Sequence, residues 1–159
     1  MNSAAYPPAI RAMLREADGR GLDVEVRERP VADSLAEAAE ILGLTPRDLA
    51  KTLVVKRGKD DFLFVVVPGD LAIAWPKLRA VVGVNRLSLP DADTALAATG
   101  YERGTITPIG SSTDWPVYVD ELLAGRRVAM GAGAHGYSAF VHVDQLVTGY
   151  GAVLADIAA

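Results

Sequence analysis

Lys51 stands where a turn gives way to a β-branched strand, in the run Leu42-Gly43-Leu44-Thr45-Pro46-Arg47-Asp48-Leu49-Ala50-Lys51-Thr52-Leu53-Val54-Val55. A lysine at such a junction is held stiffly enough to present its ammonium to a cleft, where it can anchor an anionic or polar group. A second group lies downstream in Gly100-Tyr101-Glu102-Arg103-Gly104-Thr105-Ile106-Thr107-Pro108-Ile109-Gly110. Gly104 is free to take unusual dihedrals there, Pro108 stiffens the exit, and Thr105 and Thr107 donate or accept hydrogen bonds. Such a loop presents backbone N–H groups to a developing oxyanion. A third is the turn Gly131-Ala132-Gly133-Ala134-His135-Gly136, whose glycines let the backbone approach a ligand and whose histidine can face it. The other histidine, His142, falls near the end of an alternating strand and reads as structural or surface.

Other chemistries lack their parts. No Gly-x-Ser-x-Gly elbow occurs, and Ser111-Ser112 adjoins no histidine, which argues against a serine triad. There is no His-Glu-x-x-His or comparable ligand spacing, so no metal site or other cofactor is expected. The glycine-rich turn lacks the Gly-Lys-Ser/Thr ending of a phosphate-binding P-loop. Catalysis by lysine and backbone remains.

The elements that must position these groups are read from period and punctuation. Pro7-Pro8 followed by Ile10, Met13, Leu14 and Ala17 predicts an amphipathic helix ending near Gly19. Alternating Val24 and Val26 predict a strand over 22–29. Ser34-Leu35-Ala36-Glu37 is a capping box opening a helix that closes at Gly43, and Thr45-Pro46 reads as the start of another short helix with Asp48 answering the cap. Gly58 to Asp61 turns the Lys51 strand back into Phe62–Val67, an apolar run expected to be buried on both faces. A helix is expected from Trp75 to Gly83 with Leu78, Val81 and Val82 inward, then a short strand at 86–89 and a helix from Asp91 to Gly100. Strands follow at 117–119, 127–130 and 138–143, with Ala139, Val141 and Val143 set against Ser138, Phe140 and His142. A helical turn begins at Asp144, and Ala152–Leu154 reads as a last strand or a helix end. Hairpins mixed with intervening helices predict an α+β fold.

These motifs, in this order and separation, resemble the YbaK/ProX family of free-standing aminoacyl-tRNA deacylases, which are related to the editing domain inserted in bacterial prolyl-tRNA synthetases. The likeness runs from about Gly21 to the C-terminus. It implies a strongly curved, barrel-like mixed sheet with helices outside, Lys51 and Gly104 as catalytic groups, and an aminoacyl-tRNA 3′ end as substrate, with a synthetase as a further partner. Substrate contacts are expected from Arg29, Thr52, Thr105, Thr107, Pro108, Ile109, Gly133, His135 and Ser138. Cysteine-releasing members often carry a second glycine where this chain has Thr105. They also carry a serine and an aspartate around the late turn, where Gly131 and Ser138 align. A family aromatic near the first strand has Arg29 as its nearest counterpart. These differences fall in the pocket for the amino-acid side chain and leave the amino acid open among alanine, serine, threonine and cysteine, with tRNA-Pro the first tRNA to try. A non-catalytic module for a tRNA end or adenosine ligand is the alternative, and a tRNA-independent ester or peptide hydrolase a third.

Composition bounds these readings. A length of 159 residues suits one domain over 1–159, and half the residues are apolar, enough for a substantial core. Without cysteine there is no disulfide or thiolate chemistry, which fits a reducing cytoplasm. Residues 1–9 show no leader pattern, and the apolar runs are strand-sized, so no membrane segment is expected. A net charge of −4 argues against a broad nucleic-acid footprint but leaves room for a tRNA terminus, with small basic groups at Lys51, Lys56, Arg57 and Lys59 and at Lys77 with Arg79.

Overall fold

The computed structural model describes residues 5–159; the leader reading of 1–9 therefore falls partly on residues outside it. The chain runs α1 (Pro8–Gly19), β1 (Val24–Glu28), α2 (Leu35–Leu42), β2 (Ala50–Gly58), β3 (Asp61–Pro68), α3 (Trp75–Val82), α4 (Ala92–Thr99), β4 (Val117–Asp120), β5 (Arg127–Gly131), β6 (Tyr137–His142), α5 (Val143–Tyr150) and β7 (Val153–Ala155). Single 3₁₀ turns occupy Pro46–Asp48 and Glu121–Leu123.

The strands form two sheets, β1-β6-β5 and β2-β3-β4-β7. The first is antiparallel throughout. The second is mixed: β2 meets β3 antiparallel, while β3–β4 and β4–β7 are parallel. The mixed α+β expectation holds, but the barrel does not. The two sheets pack face to face but share, among the described residues, one isolated backbone bridge, Leu49 to Ala129, and neither sheet closes on itself.

β3 explains the layering. Its residues from Phe62 to Val67 are all buried because both faces are covered. Phe62, Phe64 and Val66 join Val26, Val128, Met130, Ala139 and Val141 of the facing sheet, together with Ile10 and Met13 of α1, in the main core. Leu63, Val65 and Val67 point the other way, onto Leu78 of α3 and the C-terminal Ile157 and Ala158. Each such side chain contributes about 1.5–3 kcal/mol relative to exposure. A third cluster sets Ala38 and Ala39 of α2 against Leu49, Ala129 and Phe140. That cluster corrects the alternation expected over 138–143: Ser138, Ala139, Phe140 and Val141 are all buried, because α2 covers the face that Phe140 occupies.

Helix punctuation is as the sequence predicts at most ends. Ser34 caps α2 by accepting from Glu37 N, although Glu37 returns its bond to Asp33 N rather than to Ser34. Asp91 caps α4 through Thr94 N at 2.7 Å. The helix expected at Thr45 is only the 3₁₀ turn, since Leu49 already turns extended to reach its place under α2. No strand forms at 86–89. Ser88 makes a single bridge to Lys56, and Pro90, which lacks an N–H and restrains Leu89, ends the pairing. In α3 Leu78 is buried but Val81 is exposed. The end of the chain resolves as β7, with a tail that folds back on 72–74 through Ala72–Ala159 and Ala74–Ile157 backbone bonds. Among the described residues no helix is long and apolar enough to cross a membrane.

Asp120 pins that tail. It is fully buried, and its Oδ1 accepts from Ile157 N and Ala158 N, each at 3.0 Å, while Oδ2 accepts from Leu122 N. Asp120→Ala strands these buried donors, so a loss of about 3–5 kcal/mol is expected in urea unfolding monitored by circular dichroism, against about 1 kcal/mol or less for a surface substitution.

Candidate functional site

β2 is fixed at its start from both sides. Leu49 bridges Ala129, and Gly69 N donates to Leu49 O at 2.7 Å. A Cβ on Gly69 would lie 2.8 Å from Pro46 O, so only glycine lets the end of β3 close on this turn. Between the bridges at Leu49 and Lys56, the second edge of β2 has no partner strand. Lys51 and Thr52 point to opposite faces of a strand, and a cavity of about 300 Å³ along this open edge takes in both.

The same cavity is bordered by Gly104 and Arg103, by Gly131 at the end of β5, and by Leu35, Leu53, Leu89 and Ala95. Lys51 is half-buried. Its charge reaches Asp70, but that carboxylate is held by Arg47 Nε at 2.9 Å, which leaves the ammonium free for a ligand. Thr52 Oγ1 is shielded from solvent and has no hydrogen-bond partner among the described residues. Gly104 has φ of +89°, is exposed, and its N–H donates to no protein acceptor among the described residues. Asp91 also faces this space; its bonds with Thr94, helped by the charge of Lys56, hold its carboxyl below the usual range. The cavity thus gathers the Lys51 ammonium, the unpaired Thr52 hydroxyl and the unpaired N–H of Gly104 beside the charged Arg103 and Asp91 and several apolar side chains.

Gly131 is small for a structural reason. A Cβ there would sit 2.5 Å from Ile106 O and 2.9 Å from Thr105 O, so β5 ends directly against the loop that carries Gly104. Gly133 N donates to Thr105 O at 2.9 Å and extends the contact.

A second cavity lies behind that contact, lined by Leu96, Glu102, Thr105, Gly133 and His135. His135 Nε2 is 3.0 Å from Glu102 Oε2, and a Cβ on Gly104 would be 3.9 Å from the His135 ring. Gly104 therefore stands between the two spaces. The predicted residues divide accordingly: Lys51, Thr52 and Gly104 come together in the first cavity, and Thr105, Gly133 and His135 in the second.

The others lie elsewhere. Thr107, Pro108 and Ile109 turn inward and are buried, with Thr107 Oγ1 accepting from Ile109 N and Ile109 O accepting from Tyr101 Oη. They brace the loop from the core side and border neither cavity. Arg29 and Ser138 bond to each other, Nε to Oγ at 2.8 Å, because β1 and β6 pair antiparallel at this end. Burial pushes the Arg29 guanidinium pKa down. They too line neither cavity. His142 is exposed at the end of β6. Conversely, Asp91, Arg103, Leu35 and Leu89 border the site without having been singled out. Asp91 reads in sequence only as the start of a short helix, and no local signal marks the leucines. Among the described residues no cluster of three His, Cys, Asp or Glu side chains could hold a metal ion.

The sequence profile of the aminoacyl-tRNA editing domain matches residues 29–148. The chain is 34% identical over 156 residues to the proline--tRNA ligase of Shouchella clausii, an alignment covering 92% of this chain and 27% of the ligase. It is 32% identical over 88 residues to EbsC of Enterococcus faecalis, named a "putative Cys-tRNA(Pro)/Cys-tRNA(Cys) deacylase", across 55% of this chain and 54% of that protein. The chain thus spans about a quarter of that ligase and its alignment about half of EbsC. A crystal structure described as "a putative trans-editing enzyme for prolyl tRNA synthetase" superposes with a TM-score of 0.85 at 26% identity, covering 96% of this chain and 98% of the other. With most of its length inside the profile and its fold shared end to end with that structure, the chain belongs to the aminoacyl-tRNA editing domain family.

Proposed function

We propose that this protein is a trans-acting aminoacyl-tRNA deacylase that hydrolyses the ester of a mischarged tRNA in the cytoplasm. The observation that carries the reading is the cavity in which Lys51, the unpaired Thr52 hydroxyl and the free Gly104 N–H converge. The names of the ligase and EbsC relatives support tRNA-Pro as the first substrate to try, and that of EbsC supports cysteine as one amino acid; alanine, serine and threonine are the other small residues of the proposal. The partner is the aminoacylated 3′ end, and a synthetase supplies tRNA affinity that a chain of net charge −4 lacks.

An aminoacyl ester is already activated, so no enzyme nucleophile is required. Water adds to the ester carbonyl carbon, oriented by the neighbouring ribose hydroxyl acting as base. The carbonyl oxygen gains negative charge, which the Gly104 N–H stabilises as the Lys51 ammonium holds the ester or the adjoining phosphate. The tetrahedral species then breaks its bond to the ribose oxygen, which takes up the proton. Free amino acid and uncharged tRNA leave. Thr52 Oγ1 bonds the aminoacyl group and so completes its own hydrogen bonding only in the complex. A cavity of about 300 Å³ with largely apolar lining excludes side chains too large to enter.

Purified protein is to be assayed for release of amino acid from Ala-, Ser-, Thr-, Cys- and Pro-charged tRNA-Pro. Selective release that falls about 10²–10³-fold in kcat in Lys51→Ala is expected. No release from any substrate would favour a non-catalytic tRNA-end module. Thr52→Val replaces the unpaired hydroxyl with a methyl group of the same shape; it is expected to raise KM while leaving the thermal midpoint equal to or above that of the native protein. Phenylalanyl-tRNA should persist under conditions that clear the small esters, and its rapid cleavage would contradict a size-limited pocket.

A further inference from the structure

The loop from Gly104 to Gly110 is gripped at its far end by residues outside the stretch that the family profile matches. Gly110 N–H donates to Glu16 Oε2, and Glu16 belongs to α1, ahead of residue 29. The same oxygen accepts from Tyr150 Oη, beyond residue 148. Arg20, the residue just past α1, completes the arrangement, with its Nε 3.9 Å from the same Glu16 oxygen. Its guanidinium lies 4.1 Å from the centre of the Tyr150 ring, Nη1 donates to Gly149 O at 3.1 Å, and Nη2 pairs with Asp114 at 2.9 Å. Beside it, Tyr101 Oη donates to Ile109 O at 2.6 Å, one residue before Gly110.

The fit around Gly110 is tight. Its φ is +81°, and a Cβ would lie 2.6 Å from Tyr101 Oη and 3.0 Å from the Met13 Cα. Met13 is itself fully buried, so α1 cannot slide to relieve the contact. The loop is thereby fixed at two ends: Thr105 is tied to Glu102 and Gly133, and Gly110 to Glu16. The Gly104 corner, which borders the cavity, carries an N–H without a protein acceptor among the described residues.

The geometry points to Glu16 as a positioning residue for the deacylation reaction: its carboxylate, steadied by Tyr150 and Arg20, holds the exit of the loop so that the Gly104 N–H stays aimed at the ester carbonyl. The inference rests on the proposed deacylase activity for its kinetic consequence, though the clamp itself is a statement about loop order. Glu16 lines neither cavity, and neither does Gly110, to which it bonds. Misplacement of a reacting group by an ångström costs about 10²-fold in rate without loss of substrate contacts. A residue acting this way shows its effect in kcat rather than in KM.

The test compares native protein, Glu16→Ala and Glu16→Gln in steady-state release of amino acid from the best substrate of the tRNA-Pro panel, with amide hydrogen exchange on the same proteins free of tRNA. Glu16→Ala is expected to lower kcat about 10²-fold with KM little changed, and to speed exchange across 104–110 before other buried segments. Glu16→Gln, whose amide oxygen still accepts the Gly110 N–H, should keep kcat within about threefold of native. Unchanged kcat in Glu16→Ala would overturn the proposal. So would a loss matched by the fraction of unfolded protein, or an equal loss in Glu16→Gln. If the native protein releases no amino acid, the deacylase reading fails, and the exchange rates of 104–110 still decide whether Glu16 orders the loop.

Discussion

β3 is the constraint on which the other elements depend. A strand whose every residue from Phe62 to Val67 is apolar cannot rest at a surface, so both of its faces must be covered. One face recruits the antiparallel sheet, α1 and the main core; the other recruits α3 and the C-terminal tail. β2 hangs from β3 as its antiparallel neighbour, in a register that opposes Lys51 to Val67 and Thr52 to Val66. The position of both residues is therefore a consequence of where β3 must lie. The free edge of β2 remains open because the facing sheet reaches it only at the Leu49–Ala129 bridge, and the cavity occupies that gap.

Across the gap, glycine makes the second half of the site possible. β5 approaches the Gly104 loop so closely that its last residue has no room for a side chain, with carbonyl oxygens of Thr105 and Ile106 where a Cβ would stand. The backbone of the loop is thereby pressed against a rigid strand, and Thr105, Ile109 and Gly110 are tied by bonds to Glu102, Gly133, Tyr101 and Glu16. A loop so constrained presents an N–H with little reorganisation, which is what stabilisation of a developing oxyanion requires. Free cation and free N–H belong to different sheets' supporting elements, so their meeting depends on how the two sheets pack.

Much of this molecule is legible in its residues, for local reasons. Gly43, Gly83 and Gly100 end helices in the left-handed conformation that lacks a steric cost only for glycine, Ser34 and Asp91 cap helix starts, and the Phe62–Val67 run declares its double burial. The order of the lysine strand, the Gly104 loop and the late glycine turn identifies the family. Shape was harder. A barrel is not formed, because closure depends on hydrogen-bond pairing between strands distant in sequence, and only Leu49, just ahead of β2, bridges to β5. Alternation fails at Phe140, since whether a strand has one dry face or two depends on a helix from another part of the chain.

The residue types capable of the chemistry, Lys51, Thr52 and Gly104, together with the punctuation that sets each on its strand or loop, are properties of the sequence itself, because spacing, capping and glycine dihedrals act over a few residues. Which of the candidates share a space was decided only by tertiary packing. It carried Thr107, Pro108 and Ile109 into the core, joined Arg29 to Ser138 away from both cavities, and brought Asp91, Arg103 and two leucines to the rim. It also set Glu16 from the first helix against Gly110, across 94 residues of chain. Contacts of that range arise from the burial of whole faces against one another, and no local pattern records them.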